Sequence, residues 1–252
     1  MILYTKKLSG SRALYQFWGS TSNCYLLVDT DANTTYLVDC GMPSDTLFLL
    51  KVLRDFPPLK RVVCTHFHVD HISGWIGLKK IYQKTEIWFH EKARPLVRGQ
   101  KTVPFPGSRA LKEILIPCMQ AYVYRPSLRD VFRGALYGTP FKKGFPQDRV
   151  KYFADETNLL PGFLTLQTPG HRPDETSFWD PESGVLVSGD FIVVLDGKIL
   201  SNTFVSNPED QYASLKKIRQ LTPIRFICPG HGRVRPFFDR DITGREVFPP
   251  NP

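Results

Sequence analysis

The sequence lacks the features that would place the chain in a membrane or give it a disulfide framework. No apolar run approaches the ~18 residues that a membrane-spanning helix needs. The opening residues, MILYTKKLSGSRALYQF, contain no apolar core followed by a small-residue cleavage site. The five cysteines are scattered and never spaced as a CxxC pair. Such usage is typical of reduced thiols, so we expect a cytoplasmic protein with no membrane span.

Acidic residues are scarce in one segment only. The chain has 33 Lys and Arg against 24 Asp and Glu, a net charge of +9. Between Glu91 and Lys151 there are thirteen basic and four acidic residues, so residues 91–151 carry the whole excess. We call residues 91–151 the basic segment. The hydrophobic content of 42% is ordinary for a globular protein.

Short strand-like runs alternate with helix-like segments on both sides of the basic segment. Before it, NCYLLVDT, TTYLVDCG and RVVCTH predict strands, and SDTLFLLKVLRDF predicts a helix. After it, FLTLQTPGH, GVLVSGD and RFICPGHG predict strands, and NPEDQYASLKKIRQL predicts a helix. This alternation predicts an α/β sandwich. We expect one domain over residues 1–252, with residues 91–151 as a helical insertion.

Two helices are predicted inside the basic segment. RALKEILIPCMQAYVY predicts the first, and SLRDVFRGALYG predicts the second. The second is expected to begin with a capping box formed by Ser127 and Asp130.

Histidine is also scarce, with six residues, yet three of them fall within THFHVDH at residues 65–71. His66 and His68 follow a predicted strand and point the same way, because side chains alternate with a period of two. Asp70 and His71 come next, as the chain turns. Imidazole and carboxylate donors without cysteine suit Zn²⁺, Fe or Mn²⁺ and differ from the ligands of most structural zinc sites. The motif therefore predicts part of a metal centre.

Further donors lie downstream, each after a strand-like run. His171 lies in TPGH, Asp190 in SGD and His231 in PGHG. A glycine directly precedes each of them and allows close backbone approach or a positive φ. Only His90, at the end of IWFH, is left over, and we interpret it as a bystander.

Taken in order with Asp39 in LVDCG, these motifs resemble the metallo-β-lactamase superfamily in its hydrolase form, typified by glyoxalase II. The resemblance spans roughly residues 20–80 and 160–235 and implies a four-layer αβ/βα sandwich with two metal ions at one edge. It implies that one ion is bound by His66, His68 and His171, the other by Asp70, His71 and His231, and that Asp190 bridges them. Asp39 is expected to orient ligands by hydrogen bonding. Asp70 is expected to be catalytic, because it could orient the attacking hydroxide or accept its proton.

The implied cofactors are two divalent metal ions, with zinc expected first and iron or manganese as alternatives. Two such ions lower the pKa of a shared water, so that a bridging hydroxide attacks an electrophilic carbonyl. The expected reaction is hydrolysis of a small ester, thioester or lactone. Two alternatives stay open: a phosphodiesterase or nuclease that uses the same metals, and an iron-dependent oxidoreductase on the same scaffold.

The substrate is less well defined by the sequence. Acyl-homoserine lactonases, which the chain resembles in length and ligand set, typically place a Tyr where this chain has Val193. The basic segment is interpreted as a lid that attracts an anionic small molecule or a nucleic acid, as a homodimer contact, or as a solvated basic face. Arg125, Arg129 and Arg133 are its predicted substrate contacts.

Overall fold

The structure is a computed structural model, and the residues that it describes are 2–103, 108, 111–121, 124–130, 144–155 and 157–237. The chain divides into two compact units. The first comprises Met1–Phe105 with Arg125–Ala154, and the second comprises Pro106–Tyr124 with Asp155–Pro252. Within the described ranges, no helix has both the length and the apolar character needed to cross a membrane. The single domain over residues 1–252, with its insertion, stays a prediction.

The first unit is built on a sheet of seven strands that lie side by side in sequence order. The strands are β1 Ile2–Lys7, β2 Arg12–Trp18, β3 Asn23–Asp29, β4 Thr34–Val38, β5 Leu59–Val63, β6 Glu86–His90 and β7 Val150–Phe153. The first four pair antiparallel, and β4 to β7 pair parallel. Because β4 and β5 are parallel, their carboxyl ends meet at one edge of the sheet.

Helices connect the parallel strands of the first unit, as crossover connections require. They are α1 Thr46–Leu53, α2 Val69–Ile72, α3 Trp75–Ile81 and α4 Arg94–Val97, the last preceded by a 3₁₀ turn at Glu91–Ala93. Trp75 and Leu49 are fully buried against the sheet in the core of this unit.

The end of the basic segment packs into the core of the first unit. The ring of Phe89 on β6 contacts Phe67 and Phe145, with centroids 5.6 and 5.2 Å apart. Phe145 is buried, and its backbone N–H donates to the carbonyl of Val97 at 2.8 Å. The side chain of Gln147 donates to the same carbonyl at 2.8 Å. These contacts attach residues 145–147 to β6 and α4.

The second unit contains a five-stranded sheet in the order β14-β13-β10-β9-β8 and a ribbon of two strands, β11 and β12. The strands are β8 Leu164–Gln167, β9 Thr176–Asp180, β10 Val185–Gly189, β11 Ile192–Leu195, β12 Lys198–Ser201, β13 Phe226–Pro229 and β14 Arg235–Pro236. β13 is parallel to β10, whereas β8 and β10 are both antiparallel to β9. The strands β8, β10 and β13 therefore run in one direction, and their carboxyl ends share an edge.

Among the described residues of the second unit, the α-helices are α5 Ile116–Gln120 and α6 Pro208–Arg219. The sequence predicts α6 well, since Asn207 caps it by accepting from the N–H groups of Glu209 and Asp210. Leu215 and Ile218 of α6 are buried in the core of this unit. The first predicted helix of the basic segment is instead a π-helical turn, Leu111–Leu115, that continues into α5.

Ser127 forms one of the two bonds of the predicted capping box of the second helix. Ser127 Oγ accepts from the backbone N–H of Asp130 at 3.1 Å and donates to its carboxylate at 2.7 Å. The rest of that predicted helix, residues 131–138, lies outside the described residues.

The packing of Phe145 generates a stability prediction. Phe145→Ala should lower the free energy of unfolding by about 3–5 kcal/mol, because it removes a buried ring and leaves a cavity between Phe89 and Phe67. The matched control is Leu128→Ala in the same segment, where the side chain is 89% exposed, with an expected change within about 0.5 kcal/mol. Urea denaturation followed by circular dichroism measures both. Equal effects of the two substitutions would show that the end of the segment does not depend on this packing.

Candidate metal centre

Asp39 directly follows β4, and its buried carboxylate connects the ends of β4 and β5. Its backbone has a φ of +58°, and its N–H donates to the carbonyl of Val63 at 2.9 Å. One carboxylate oxygen accepts from the Thr65 N–H at 2.8 Å. The other accepts from the Thr65 hydroxyl at 2.9 Å and from His71 Nδ1 at 2.8 Å. Because Nδ1 of His71 donates, Nε2 carries the lone pair that a metal ligand needs.

The Thr65 hydroxyl sets the orientation of His66 in the same way. It gives its proton to Asp39, so it accepts from His66 Nδ1, which lies at 3.0 Å. Nε2 of His66 is then the unprotonated nitrogen, and it lies 2.9 Å from Nδ1 of His68. Two ring nitrogens directed at one point suit a shared cation.

Asp70 and His71 lie in the short helix α2, for which His68 is the N-cap residue. The Ser22 hydroxyl donates to the backbone carbonyl of Asp70 at 2.5 Å, and the Cys40 N–H donates to that of His71 at 2.7 Å. An oxygen of Asp70 lies 3.8 Å from His71 Nε2. The Asp70 carboxylate is therefore directed toward the nitrogen of His71 that Asp39 does not contact.

In the second unit, His171, Asp190 and His231 follow β8, β10 and β13 at the shared edge of the sheet. All three are buried. Oδ2 of Asp190 lies 3.7 Å from Nε2 of His171 and 3.1 Å from Nε2 of His231. The structure therefore brings these three predicted donors together within this unit. Histidine and aspartate donors that could bind a metal ion gather at strand ends in both units.

Two glycines next to Asp190 let its carboxylate lie against the backbone. Gly189 has a φ of +55°, which glycine adopts at little cost. A Cβ on Gly230 would lie 2.1 Å from Oδ1 of Asp190 and 2.9 Å from the backbone of Gly189. A side chain at residue 230 would therefore displace Asp190, and the predicted need for close backbone approach is confirmed here.

Two buried side chains that the sequence did not single out bind the main chain of Asp190. The Asp190 N–H donates to Glu175 Oε1 at 3.0 Å, and Asn202 Nδ2 donates to the Asp190 carbonyl at 2.9 Å. Glu175, four residues after His171 in HRPDE, could have been noticed as an acidic residue near a ligand. Asn202 follows β12 and lies in no recognisable sequence motif. It contacts Asp190, twelve residues earlier in the chain, and a local pattern does not predict such a contact.

Aromatic rings lie beside both histidines of the second unit. The Phe204 ring stands edge-on to His171, with centroids 5.2 Å apart, and its carbonyl accepts from His171 Nδ1 at 2.5 Å. The ring of Tyr124, from the basic segment, lies 6.0 Å from that of His231. Neither aromatic residue belongs to the histidine and aspartate motifs of the sequence.

The remaining predicted residues are placed as follows. Arg125 and Arg129 are exposed, whereas Arg133 lies outside the described residues. His90 is buried at the end of β6, where its Nδ1 accepts from the Lys92 N–H at 3.3 Å and its ring packs on Phe153. These contacts give His90 a structural role, which agrees with its interpretation as a bystander.

The cysteines are all free and buried. Burial raises the pKa of the Cys24 and Cys228 thiols, and burial together with the nearby Asp39 carboxylate raises the pKa of Cys40. A thiol must lose its proton to bind a metal ion. Among the described residues, the donor groups that could hold a metal ion consist of histidine and aspartate.

Comparisons with known proteins place the chain in a family. A family model described as "Metallo-beta-lactamase superfamily" matches residues 18–231. The probable metallo-hydrolase YflN of Bacillus subtilis (strain 168) is 23% identical over 195 residues, which are 75% of this chain and 67% of that protein. Hydroxyacylglutathione hydrolase of Bartonella quintana (strain Toulouse) is 24% identical over 202 residues, which are 80% of this chain and 60% of that protein.

A solved structure supports the fold. The crystal structure of TTHA1623 in a di-iron-bound form is 23% identical, covers 88% of this chain and 92% of its own, and has a TM-score of 0.56. Together with the mixed sheets and helices of the two units, this likeness confirms the predicted α/β sandwich class.

The hydrogen bonds of Asp39 predict that its carboxylate stabilises the fold. Asp39→Ala should destabilise the metal-free protein by about 3–5 kcal/mol, because it leaves buried donors of Thr65 and His71 without their acceptor. Urea denaturation of the metal-free protein measures the loss. The control Asp31→Ala removes an exposed carboxylate from a turn and should change stability by less than about 0.5 kcal/mol. A loss at Asp39 no larger than at Asp31 would contradict this account of the strand ends.

Proposed function

The chain belongs to the metallo-beta-lactamase superfamily, and on that premise we propose that it is a hydrolase with two divalent metal ions. The observation that carries the proposal is the convergence of His171 Nε2 and His231 Nε2 on Oδ2 of Asp190, at 3.7 and 3.1 Å. A carboxylate between two imidazoles is the arrangement that a ligand shared by two ions requires. Asp190 is therefore assigned as the bridging ligand.

The other ligands are assigned by their position in the family motifs. His66, His68 and His171 would hold one ion, and Asp70, His71 and His231 would hold the other. The donor set fits such ions, because it combines imidazole and carboxylate without thiolate. The hydrogen bonds of His66 and His71 through Nδ1 also leave Nε2 of each ring for the metal. Zinc is the first expectation, and iron or manganese suits the same donors.

When bound, two such ions would supply a water of lowered pKa and stabilise negative charge on the substrate. Asp70 is assigned as the catalytic carboxylate that orients the attacking water and accepts its proton. Its backbone is held by the Ser22 hydroxyl, so its side chain has a defined starting position. Asp39 and Thr65 keep the imidazoles of His71 and His66 in the tautomer that binds metal.

The proposed substrate is a small ester, thioester or lactone, preferably an anionic one. The name of one relative, a probable metallo-hydrolase, supports hydrolysis, and the name of another, a hydroxyacylglutathione hydrolase, supports a thioester substrate. The exposed Arg125 and Arg129 are assigned to attraction of an anionic substrate through their electrostatic field. Arg133 belongs to the same proposal by sequence alone.

Ligand substitution tests the assignment. His68→Ala and Asp190→Ala should each lower metal content and reduce hydrolysis more than ~100-fold, because a missing ligand costs more than the 10–100-fold typical of an outer partner. Metal analysis and a panel of esters, thioesters and lactones measure the two effects. The control is His90→Asn, which retains an acceptor for the Lys92 N–H and should keep wild-type metal content and activity. Full metal content in Asp190→Ala would refute its assignment.

The same panel distinguishes the reaction classes. We expect turnover of at least one carbonyl compound and none of a p-nitrophenyl phosphodiester or RNA. Fast phosphodiester cleavage without carbonyl hydrolysis would overturn the proposed reaction. Bound iron together with oxygen consumption would identify an oxidoreductase instead.

Metal removal gives a prediction that does not depend on substrate. Zinc at 100 times its dissociation constant should stabilise the folded protein by about 2.7 kcal/mol for each independent site. Thermal unfolding with and without a chelator measures the shift in Tm. An unchanged Tm would refute metal binding by the folded chain.

A further inference from the structure

Asn202 contacts two of the three segments of the second unit that carry proposed metal ligands. Its side chain is buried, and Nδ2 donates to the main-chain carbonyl of Asp190 at 2.9 Å. Its Oδ1 accepts from the Phe204 N–H at 2.8 Å. The Phe204 carbonyl in turn accepts from His171 Nδ1 at 2.5 Å. One amide therefore connects the proposed bridging carboxylate to a histidine 19 residues earlier in the sequence.

The amide can make these bonds in one orientation only. The Asp190 carbonyl requires a donor, and the Phe204 N–H requires an acceptor, so Nδ2 and Oδ1 cannot exchange places. Nδ1 of His171 lies 2.5 Å from the Phe204 carbonyl and 3.3 Å from Asn202 Nδ2. Because the carbonyl can only accept and is the nearer partner, Nδ1 donates to it, which leaves Nε2 unprotonated. Nε2 is also the nitrogen that lies 3.7 Å from Asp190 Oδ2.

From these contacts we infer that Asn202 is a positioning residue that sets the metal affinity of the second unit. It holds the Asp190 main chain opposite Glu175, which accepts from the N–H of the same residue at 3.0 Å. Through Phe204 it also holds the ring of His171 in the metal-binding tautomer. This inference rests on the proposed function, because it assigns Asp190 and His171 as ligands.

The first test measures zinc affinity by competition with a chromophoric chelator. Asn202→Leu keeps the γ-branched shape but can neither donate nor accept, and zinc binding should weaken about 10–100-fold. Asn202→Ala, which is smaller, should weaken it as well and serves if the leucine variant does not fold. The matched control is Thr165→Val, which removes a buried hydroxyl that donates to the Thr157 carbonyl at 2.6 Å. Its zinc affinity should stay within about twofold of wild type, as expected for a change away from the ligands.

The second test needs no metal. Ring ¹⁵N chemical shifts of His171 in the metal-free protein, above the ordinary histidine pKa of ~6.5, report which nitrogen carries the proton. Wild type should show protonated Nδ1, whereas the Asn202 variants should show a mixture of tautomers. A substitution that only lowers stability, such as Thr165→Val, should leave the tautomer of His171 unchanged.

Different results of these tests would refute the proposed function and the role of Asn202. A wild-type protein that binds no zinc, iron or manganese would refute the proposed function. Zinc binding by wild type with equal affinity in the folded Asn202 variants would refute the role of Asn202 alone. A His171 that keeps protonated Nδ1 in these variants would refute the coupling through Phe204.

Discussion

The interaction on which the first unit's strand-end site depends is the acceptance of three hydrogen bonds by one buried carboxylate, that of Asp39. Parallel pairing brings the ends of β4 and β5 together, and Asp39 uses this proximity to bind the main chain and hydroxyl of Thr65 and the ring of His71. A buried carboxylate is costly unless it is hydrogen-bonded. The same bonds that satisfy Asp39 also decide which nitrogen of each imidazole is left to bind a metal ion, so stability and site geometry share one cause.

In the second unit, different groups orient the histidine and aspartate donors. Here a carbonyl, that of Phe204, orients His171, and the side chains of Glu175 and Asn202 hold the main chain of Asp190. Gly230 leaves the space that the Asp190 carboxylate fills. In both units the donors follow strands whose carboxyl ends share an edge, so the sheet brings the segments together and local hydrogen bonds set the rings. Substitutions in these supporting bonds are expected to change metal affinity as well as stability.

Reaction type and substrate choice depend on different parts of the chain. The donors lie on short segments at the ends of buried strands, whereas the charge excess lies in the basic segment. Phe145 packs one end of that segment on β6, and Tyr124 brings one of its rings beside His231. Ligands of this kind specify the chemistry, and the surrounding loops select the substrate. Under the proposed function, the choice among esters, thioesters and lactones would therefore depend on residues such as Tyr124 and Arg125.

The sequence by itself determined the α/β class, the strand ends and the spacing of the histidine and aspartate donors, because alternation and short motifs are local properties. The sequence also left His90 outside the motifs that contain the other five histidines. Local patterns did not predict the π-helical turn at Leu111–Leu115, which replaces the start of a regular helix. Only the tertiary structure decided that Thr65, Glu175, Asn202 and Phe204 orient the donors. Their roles arise from burial and from hydrogen bonds between residues distant in the chain, and composition and periodicity carry no information on such contacts.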